Sequence, residues 1–186
     1  MNSDFIELTK KHFLKTYQQA DPNIIPYKYL PEHVVECEKW AKRILKKYPK
    51  ANEEVLLVAV WLYDIGQVFE PKDKDHAIKS EREAKRFLSE VGFPLDLIKE
   101  VAHCVRSHRN RDVRPRMLEA KILAAADSAS HMTDACYIDM AQKAGKEAAL
   151  AKIERDYRDV GFLKELKKEV TPIYRAWKNL IRVLPN

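Results

Sequence analysis

Two aspartates in this sequence stand beside apolar segments, where an unpaired charge is costly. Asp64 directly follows the run VLLVAVWLY, and Asp127 lies within the small-residue segment KILAAADSAS. A buried carboxylate needs a cation as its partner, because water no longer solvates its charge. If the two acids lie close together, each raises the pKa of the other, and a bound divalent ion is the simplest way to stabilise both. A local cap or salt bridge at each acid is the alternative.

Histidines are the second residue type that could do chemistry here. His33 stands in the first turn of a predicted helix, just after Pro31, while His76 opens one predicted helix and His108 closes another. Side chains at helix ends can converge on a cleft. His108 is preferred to His103, because residues five apart point about 140° away from each other around a helix. The remaining histidines are interpreted as packing or surface residues: His12, His103 and His131.

The composition limits the class of protein. The chain has 186 residues, of which 46% are hydrophobic and 33% charged, a balance typical of one folded domain spanning 1–186. Three cysteines without a C-x-x-C pair and an N-terminus without an apolar leader predict a reduced, cytoplasmic protein that does not enter a membrane. Four scattered glycines exclude a Rossmann or P-loop phosphate-binding turn. The net charge is +6, but basic and acidic residues alternate, so a solvated helix surface is favoured over a nucleic-acid interface.

Helical periodicity runs through almost the whole sequence and strand candidates are almost absent, so an all-α fold is predicted. Asn52 fits an N-cap and Gly66 fits a C-cap, which makes the apolar segment 55–62 a central, fully buried helix. The motif-bearing core spans 31–135, and the helices within 140–184 either pack across it or pair with a second copy. The predicted helices cover 31–48, 55–62, 75–91, 95–108, 117–140, 143–157 and 161–184.

Five pieces in a fixed order carry a family resemblance. They are His33, the Tyr63–Asp64 pair in WLYDIG, and the segments DHAIKSEREA, VAHCVRSHR and LEAKILAAADSAS. Over about residues 31–135, this series resembles the HD-domain superfamily of metal-dependent phosphohydrolases, in particular its small single-domain members. The resemblance implies an all-α, HD-like helical bundle and one or two divalent ions (Mg, Mn, Fe or Zn). It also implies a nucleotide or another small phosphate ester as the substrate.

The same resemblance assigns metal ligands by position. His33, Asp64 and Asp127 match three of the four ligands of the first metal, and Asp64 matches the residue that bridges to a second metal. The second ion is assigned to two further histidines, His76 and His108. The sequence departs from the family at residue 63, where a tyrosine replaces the name-giving histidine.

Tyr63 leaves three outcomes open. A phenol must lose a proton with a pKa of about 10 before it binds a metal, whereas a neutral imidazole binds directly. Tyr63 could bind as a phenolate and favour ferric iron, or it could leave the first site empty. It could also stand aside, which leaves an oxygen-rich site for Mg or Mn formed by His33, Asp64 and Asp127. We favour this last outcome, because one imidazole and two carboxylates suffice for a hard cation.

The expected nucleophile is a metal-activated water, because the sequence contains no G-x-S-x-G and its cysteines fit helix faces. Arg109 and Lys121 are candidate phosphate contacts, with solvation or local pairing as the alternative. Tyr63 is a candidate donor of a proton or hydrogen bond to a phosphate. Several HD proteins carry two supporting acids after the motif. Here those positions hold Gln67 and Glu70, which leaves the general acid unassigned.

Three other functions stay open. Some HD-fold proteins with the same extra histidine pair bind two irons and activate dioxygen. A second alternative is a catalytically degenerate module that binds a nucleotide or phosphate, with Tyr63 disabling the site. The third, a helical nucleic-acid adaptor, rests only on the net charge of +6.

Overall fold

The computed structural model describes residues 3–22, 29–69 and 75–184. These residues form nine α-helices and two short 3-10 helices, with no β-strand among them, so the predicted all-α fold is confirmed. In this described part of the chain, no helix is long and apolar enough to cross a membrane. The α-helices are α1 (Ser3–Gln19), α2 (Leu30–Leu45), α3 (Glu53–Leu62), α4 (His76–Glu90), α5 (Leu95–Ser107), α6 (Leu118–Ser130), α7 (Cys136–Ala144), α8 (Lys146–Asp159) and α9 (Lys164–Val183), and the 3-10 helices are Ile65–Val68 and Val160–Phe162.

Helix α3 is the centre of the fold. Its N-cap is Asn52, whose side chain accepts a hydrogen bond from the backbone N–H of Val55, as predicted. Every residue from 55 to 62 is buried, and α3 packs against α1, α2, α4, α5 and α6. Each fully buried large apolar side chain contributes about 1.5–3 kcal/mol to the free energy of folding. The prediction of a central, fully buried helix is therefore confirmed.

The predicted single helix over 117–140 is wrong, because the structure contains two helices, α6 and α7, with a turn between them. Backbone hydrogen bonds continue to the N–H groups of Thr133 and Asp134, which both donate to the carbonyl of Ser130, and side-chain hydrogen bonds are added in the turn. The Thr133 hydroxyl donates to the carbonyl of Ser130, and the Asp134 carboxylate accepts the backbone N–H of Cys136, where α7 begins. The turn leaves the end of α6 and the Asp134 side chain beside α2.

Gly66 serves a different purpose from the predicted C-cap. Helix α3 ends with Tyr63 as its C-cap, and Gly66 lies inside the following 3-10 helix. A Cβ atom at Gly66 would lie 2.4 Å from the carbonyl oxygen of His76 and 2.7 Å from the backbone nitrogen of Ser80. The Gly66 N–H donates to the Ser80 hydroxyl over 2.9 Å. The absence of a side chain thus lets the chain after Asp64 lie directly against the start of α4.

The C-terminal helices pack together and against the helix that carries Asp127. Helix α8 contacts α6, α7 and α9, and the 3-10 helix Val160–Phe162 also packs against α6. Gly145, with a φ of 87°, separates α7 from α8. The predicted boundaries 143–157 and 161–184 begin about one helical turn too early, because the turn at Gly145 and the 3-10 helix were not predicted.

We predict that Gly66→Ala lowers the free energy of unfolding by about 1–3 kcal/mol, because the new methyl group meets backbone atoms that have no room to move. The matched control is Gly161→Ala, whose Cβ would approach only the flexible end of the Lys167 side chain. Denaturant unfolding of both variants measures the difference. Equal stability of the two variants would contradict the close-packing role of Gly66.

Candidate metal centre

A cleft of about 640 Å³ brings together residues from both halves of the sequence. In the described part of the chain, two groups of side chains have ligand atoms within 4.8 Å of one another. The first, called the Asp64 group, contains Asp64, His76 and His108. The second, called the Asp127 group, contains His33, Asp127 and His131. All of these side chains line the cleft except His33, which is buried behind it.

The Asp64 group combines one carboxylate with two imidazoles. Nε2 of His76 lies 3.0 Å from Oδ1 of Asp64, and Nε2 of His108 lies 3.6 Å from the same oxygen. The two Nε2 atoms are 3.3 Å apart. Nδ1 of His108 lies 2.7 Å from the carbonyl oxygen of Val105, so it carries the hydrogen and donates it there. The Nε2 lone pair of His108 therefore faces the Asp64 carboxylate.

A cation bound between the three side chains would stabilise the Asp64 group electrostatically. Burial lowers the pKa of His108 to about 4, although the Asp64 charge opposes the shift, so the ring is neutral at pH 7. Burial opposes ionisation of Asp64 as well, but the charge of His76 and its hydrogen bond to Asp64 outweigh it and lower the pKa of Asp64 to about 2. A lone pair and a carboxylate that face each other are stabilised by a proton on His76 or by a metal ion. Two nitrogen donors and one oxygen donor suit Mn, Fe or Zn.

Local structure fixes the position of His76. Asp75 is the N-cap of α4, and its carboxylate accepts the backbone N–H of Ala77. Arg106 and Arg109 approach the same carboxylate to 3.8 and 3.5 Å, which ties the end of α5 to the start of α4. These contacts hold His76 and the residue that closes α5 next to each other.

The Asp127 group is built around a doubly paired imidazole. Nε2 of His33 lies 3.1 Å from Oδ1 of Asp127, and its Nδ1 lies 3.0 Å from Oδ2 of Asp134. Burial opposes protonation of His33, but these two hydrogen bonds outweigh it and raise its pKa to about 10. The His131 ring stacks on the His33 ring with centroids 4.7 Å apart, and its Nε2 is 3.9 Å from the same Asp127 oxygen. The proton on His33 thus supplies positive charge beside Asp127. The donor atoms of the Asp127 group also fit a metal ion in place of that proton.

The structure divides the expected ligands differently from the family assignment. Asp64 lies with His76 and His108, as expected for a second ion, but not in the group that holds His33 and Asp127. His131 joins that group instead, and its interpretation as a packing or surface residue did not anticipate this. Its spacing from Asp127 was an available signal, because residues four apart share one face of a helix. Asp134 was also missed, and no spacing rule indicates it, because it lies in the unpredicted turn after α6.

Tyr63 lies between the two groups without joining either. Its ring centroid is 4.9 Å from that of His108 and 6.2 Å from that of His33. The side chain is fully buried, and its hydroxyl makes no hydrogen bond with a described residue of adequate geometry, although Asp127 and Cys37 lie near it. Burial, and then the negative charge of Asp127, raise the pKa of the phenol well above its usual value. Tyr63 is therefore a neutral phenol in this metal-free environment.

The other predicted site residues are divided between the cleft and its surroundings. Arg109 and Gln67 line the cleft, and Glu70 lies outside the described residues. Lys121 is not among the residues that line the cleft, so its expected contact with a phosphate stays a prediction that this cleft does not support. It precedes Asp127 by six residues, which turns it about 120° away around α6.

Basic residues that the sequence analysis did not single out line the same cleft. The cationic side chains of the cleft are Arg109, Arg111, Lys152, Arg155 and Arg158. Lys152 is held by Asp156, with Nζ 2.7 Å from Oδ1, and Arg158 pairs with Asp159. Arg111 and Arg155 have no ion pair with a described residue. They were missed because charged residues at helix surfaces give no spacing signal that separates a cleft from open solvent.

Comparison with known proteins identifies the family. A family model for the HD domain matches residues 31–132, which include every member of both groups. A search of curated proteins and a search of solved structures found no match. The family match covers more than half of the 186 residues and ends before α7, so α7, α8 and α9 lie outside it. The chain belongs to the HD domain family.

Proposed function

We propose that the chain is a metal-dependent phosphohydrolase that acts on a nucleotide or another small phosphate ester. The observation that carries this proposal is the cleft itself, where two carboxylate–imidazole groups face several basic side chains. A cleft that contains candidate metal ligands and basic side chains suits a phosphate ester, because the ester carries negative charge and has an electrophilic phosphorus atom. Membership of the HD family supports the same conclusion, because metal-dependent hydrolases are typical of it.

The two groups fit divalent ions. The Asp64 group would hold one ion with one oxygen and two nitrogen donors, and the Asp127 group would hold another with the same donor types. When bound, a divalent ion supplies an activated water and positive charge that screens the phosphoryl oxygens. The backing of His108 by Val105 and of His33 by Asp134 orients the ligand nitrogens before any ion arrives.

The basic side chains of the cleft would bind the phosphate. Arginine presents two parallel N–H donors that match a phosphoryl edge, and its charge persists at any working pH. Among the described residues, Arg111 and Arg155 have no carboxylate partner to displace, so they are available to bind a phosphate. Arg109 shares its charge with Asp75 and contributes mainly by holding the start of α4 in place.

The three cysteines offer no competing protein nucleophile in the cleft. None of the three cysteines lines it, and Cys37 and Cys104 are buried. Burial raises the pKa of all three thiols, that of Cys136 to about 12, so the reactive thiolate is absent at pH 7. Water is therefore the nucleophile that the site supports.

The proposed function predicts that catalysis depends on a divalent metal and on the Asp64 group. Protein stripped with a chelator should lose phosphatase or phosphodiesterase activity and regain it with Mn²⁺ or another divalent ion. His108→Ala should lower kcat/KM at least about 100-fold, because even indirect partners of metal ligands contribute about 10–100-fold. His103→Gln is the matched control, since His103 lies on the same helix and does not line the cleft.

A panel of nucleotides and small phosphate esters, assayed with and without metal, makes this measurement. Activity that survives complete metal removal would contradict the proposal. Oxygen consumption by an iron-loaded form, without phosphate release, would favour the dioxygen-activating alternative.

The basic side chains that line the cleft are expected to affect substrate binding and not the chemical step. Arg155→Gln should raise KM about 5–30-fold with little change in kcat, the effect of losing ~1–2 kcal/mol of ground-state and transition-state binding alike. Lys121→Gln should leave both constants unchanged, because Lys121 does not line the cleft. Steady-state kinetics of both variants on the best substrate of the panel measures these changes. A larger change in KM at Lys121 than at Arg155 would contradict the proposed placement of the phosphate.

The isolated hydroxyl of Tyr63 predicts a gain in stability when it is removed. Tyr63→Phe deletes a buried polar group that lacks a partner, so the free energy of unfolding should rise by up to about 1 kcal/mol. Turnover should stay within about twofold of the original, because the buried hydroxyl is sealed from the cleft. Denaturant unfolding and steady-state kinetics test the two parts. A large loss of turnover would instead support Tyr63 as a donor to the substrate.

A further inference from the structure

We propose that His131 supplies the imidazole ligand that Tyr63 cannot provide, and that Asp156 positions it. The Asp127 group would then hold its ion with His33, Asp127 and His131, without a ligand from residue 63. This assignment rests on the proposed metal dependence, and it transfers one ligand position from the end of α3 to the end of α6.

The first support is the placement of His131 opposite His33. The two imidazole rings stack at a centroid distance of 4.7 Å with 19° between their planes. Both direct Nε2 at the same oxygen of Asp127, at 3.1 Å from His33 and 3.9 Å from His131. Because Asp127 and His131 are four residues apart at the end of α6, one helix face presents an oxygen and a nitrogen donor together.

The second support is the partner of the ring nitrogen, Nδ1, that does not face the proposed metal. A metal-binding histidine commonly donates its other ring N–H to a carboxylate or a carbonyl, which fixes the ring and its tautomer. Nδ1 of His33 faces Asp134 at 3.0 Å, and Nδ1 of His108 faces the Val105 carbonyl at 2.7 Å. In the same way, Nδ1 of His131 lies 3.3 Å from Oδ2 of Asp156. His131 thus has a carboxylate behind its ring as His33 does, although the Lys152 ammonium also lies 3.0 Å from its Nδ1.

Burial and hydrogen bonds fix the position of the Asp156 side chain. Its side chain is almost completely buried, and the Tyr137 hydroxyl donates to its Oδ2 over 2.9 Å. Lys152 Nζ lies 2.7 Å from Oδ1 of Asp156 and 3.0 Å from Nδ1 of His131. Because an ammonium group only donates, Nδ1 of His131 accepts from Lys152 in this arrangement; in the tautomer with Nδ1–H, that hydrogen would be donated to Asp156 and Lys152 would keep Oδ1 of Asp156 as its acceptor. The three supporting residues belong to α7 and α8, outside the stretch that the HD family model matches.

The third support is the state of Tyr63. It lies at the motif position of the missing histidine, between the two groups, yet its buried hydroxyl has no hydrogen-bond partner among the described residues. The phenol oxygen lies near Asp127 without a hydrogen bond of adequate geometry, and a neutral phenol is a weaker metal donor than an imidazole. The ring packs edge-on against His108.

The test measures metal binding and does not depend on activity. The full chain, stripped with a chelator, is dialysed against Mn²⁺ of defined concentration, and bound manganese is counted by elemental analysis. His131→Ala and His131→Gln should each lose the Mn²⁺ ion of the Asp127 group and keep that of the Asp64 group. His12→Gln is the matched control, because His12 contacts Glu83 and Phe87 away from the cleft. Circular dichroism of the metal-free proteins checks that the variants are folded.

Two further variants separate positioning from simple support of the fold. Asp156→Asn should weaken the same Mn²⁺ site by about 10–100-fold and leave the affinity of the Asp64 group unchanged. A merely structural role for Asp156 would weaken both sites together, and that result would count against the assignment. Tyr63→His, introduced into the His131→Ala chain, should restore the lost ion, because it returns an imidazole to the family position.

The outcomes distinguish this assignment from the proposed function. Unchanged Mn²⁺ stoichiometry and affinity in both His131 variants would overturn the assignment, whatever the number of ions bound by the original chain. An ion that is lost with His131 and not restored by Tyr63→His would overturn the exchange of ligand positions. Loss and restoration of Mn²⁺ in a chain that hydrolyses no phosphate ester would support the assignment and overturn the proposed function alone.

Discussion

The site depends on how the negative charges of two carboxylates are balanced after the fold has buried them away from water. Asp64 follows the most buried helix of the molecule, and Asp127 belongs to a helix that packs against it. Each carboxylate is ionised despite burial, because imidazoles from another helix approach it and, for Asp127, His131 at the end of its own helix does so as well. The donor atoms of each group also fit a divalent cation, which is the partner that we propose for these carboxylates.

The surrounding structure can be understood as the means of bringing those imidazoles to the acids. Gly66 lets the chain after α3 lie against the start of α4, where His76 begins the helix. The turn after α6 returns Asp134 to the back of His33. Helix α8, which lies outside the family match, brings Asp156 and several basic side chains to the same cleft. The HD segment thus contains the proposed metal donors, and the C-terminal helices add residues that support and surround them.

Much of this arrangement could be predicted from the sequence, and the failures have physical causes. The all-α fold and the buried helix α3 follow from periodicity and from the N-cap at Asn52, which are local signals. The C-cap role of Gly66 was wrong, because its real constraint is a long-range contact with α4 that no local pattern reveals. The break after α6 was missed because side-chain hydrogen bonds in a short turn compete with an otherwise strong helical pattern. Arg111 and Arg155 were missed because only the tertiary fold places them at the cleft.

The central claim is that a divalent cation stabilises the two buried acids, and thermal unfolding measures this most directly. Mn²⁺ added to the chelator-stripped chain should raise Tm progressively with its concentration, because an ion that binds only the folded state stabilises it by mass action. The same titration of a chain carrying both Asp64→Asn and Asp127→Asn should give no increase. A Tm that does not respond to Mn²⁺ in the original chain, or that rises equally in the double variant, would contradict the account.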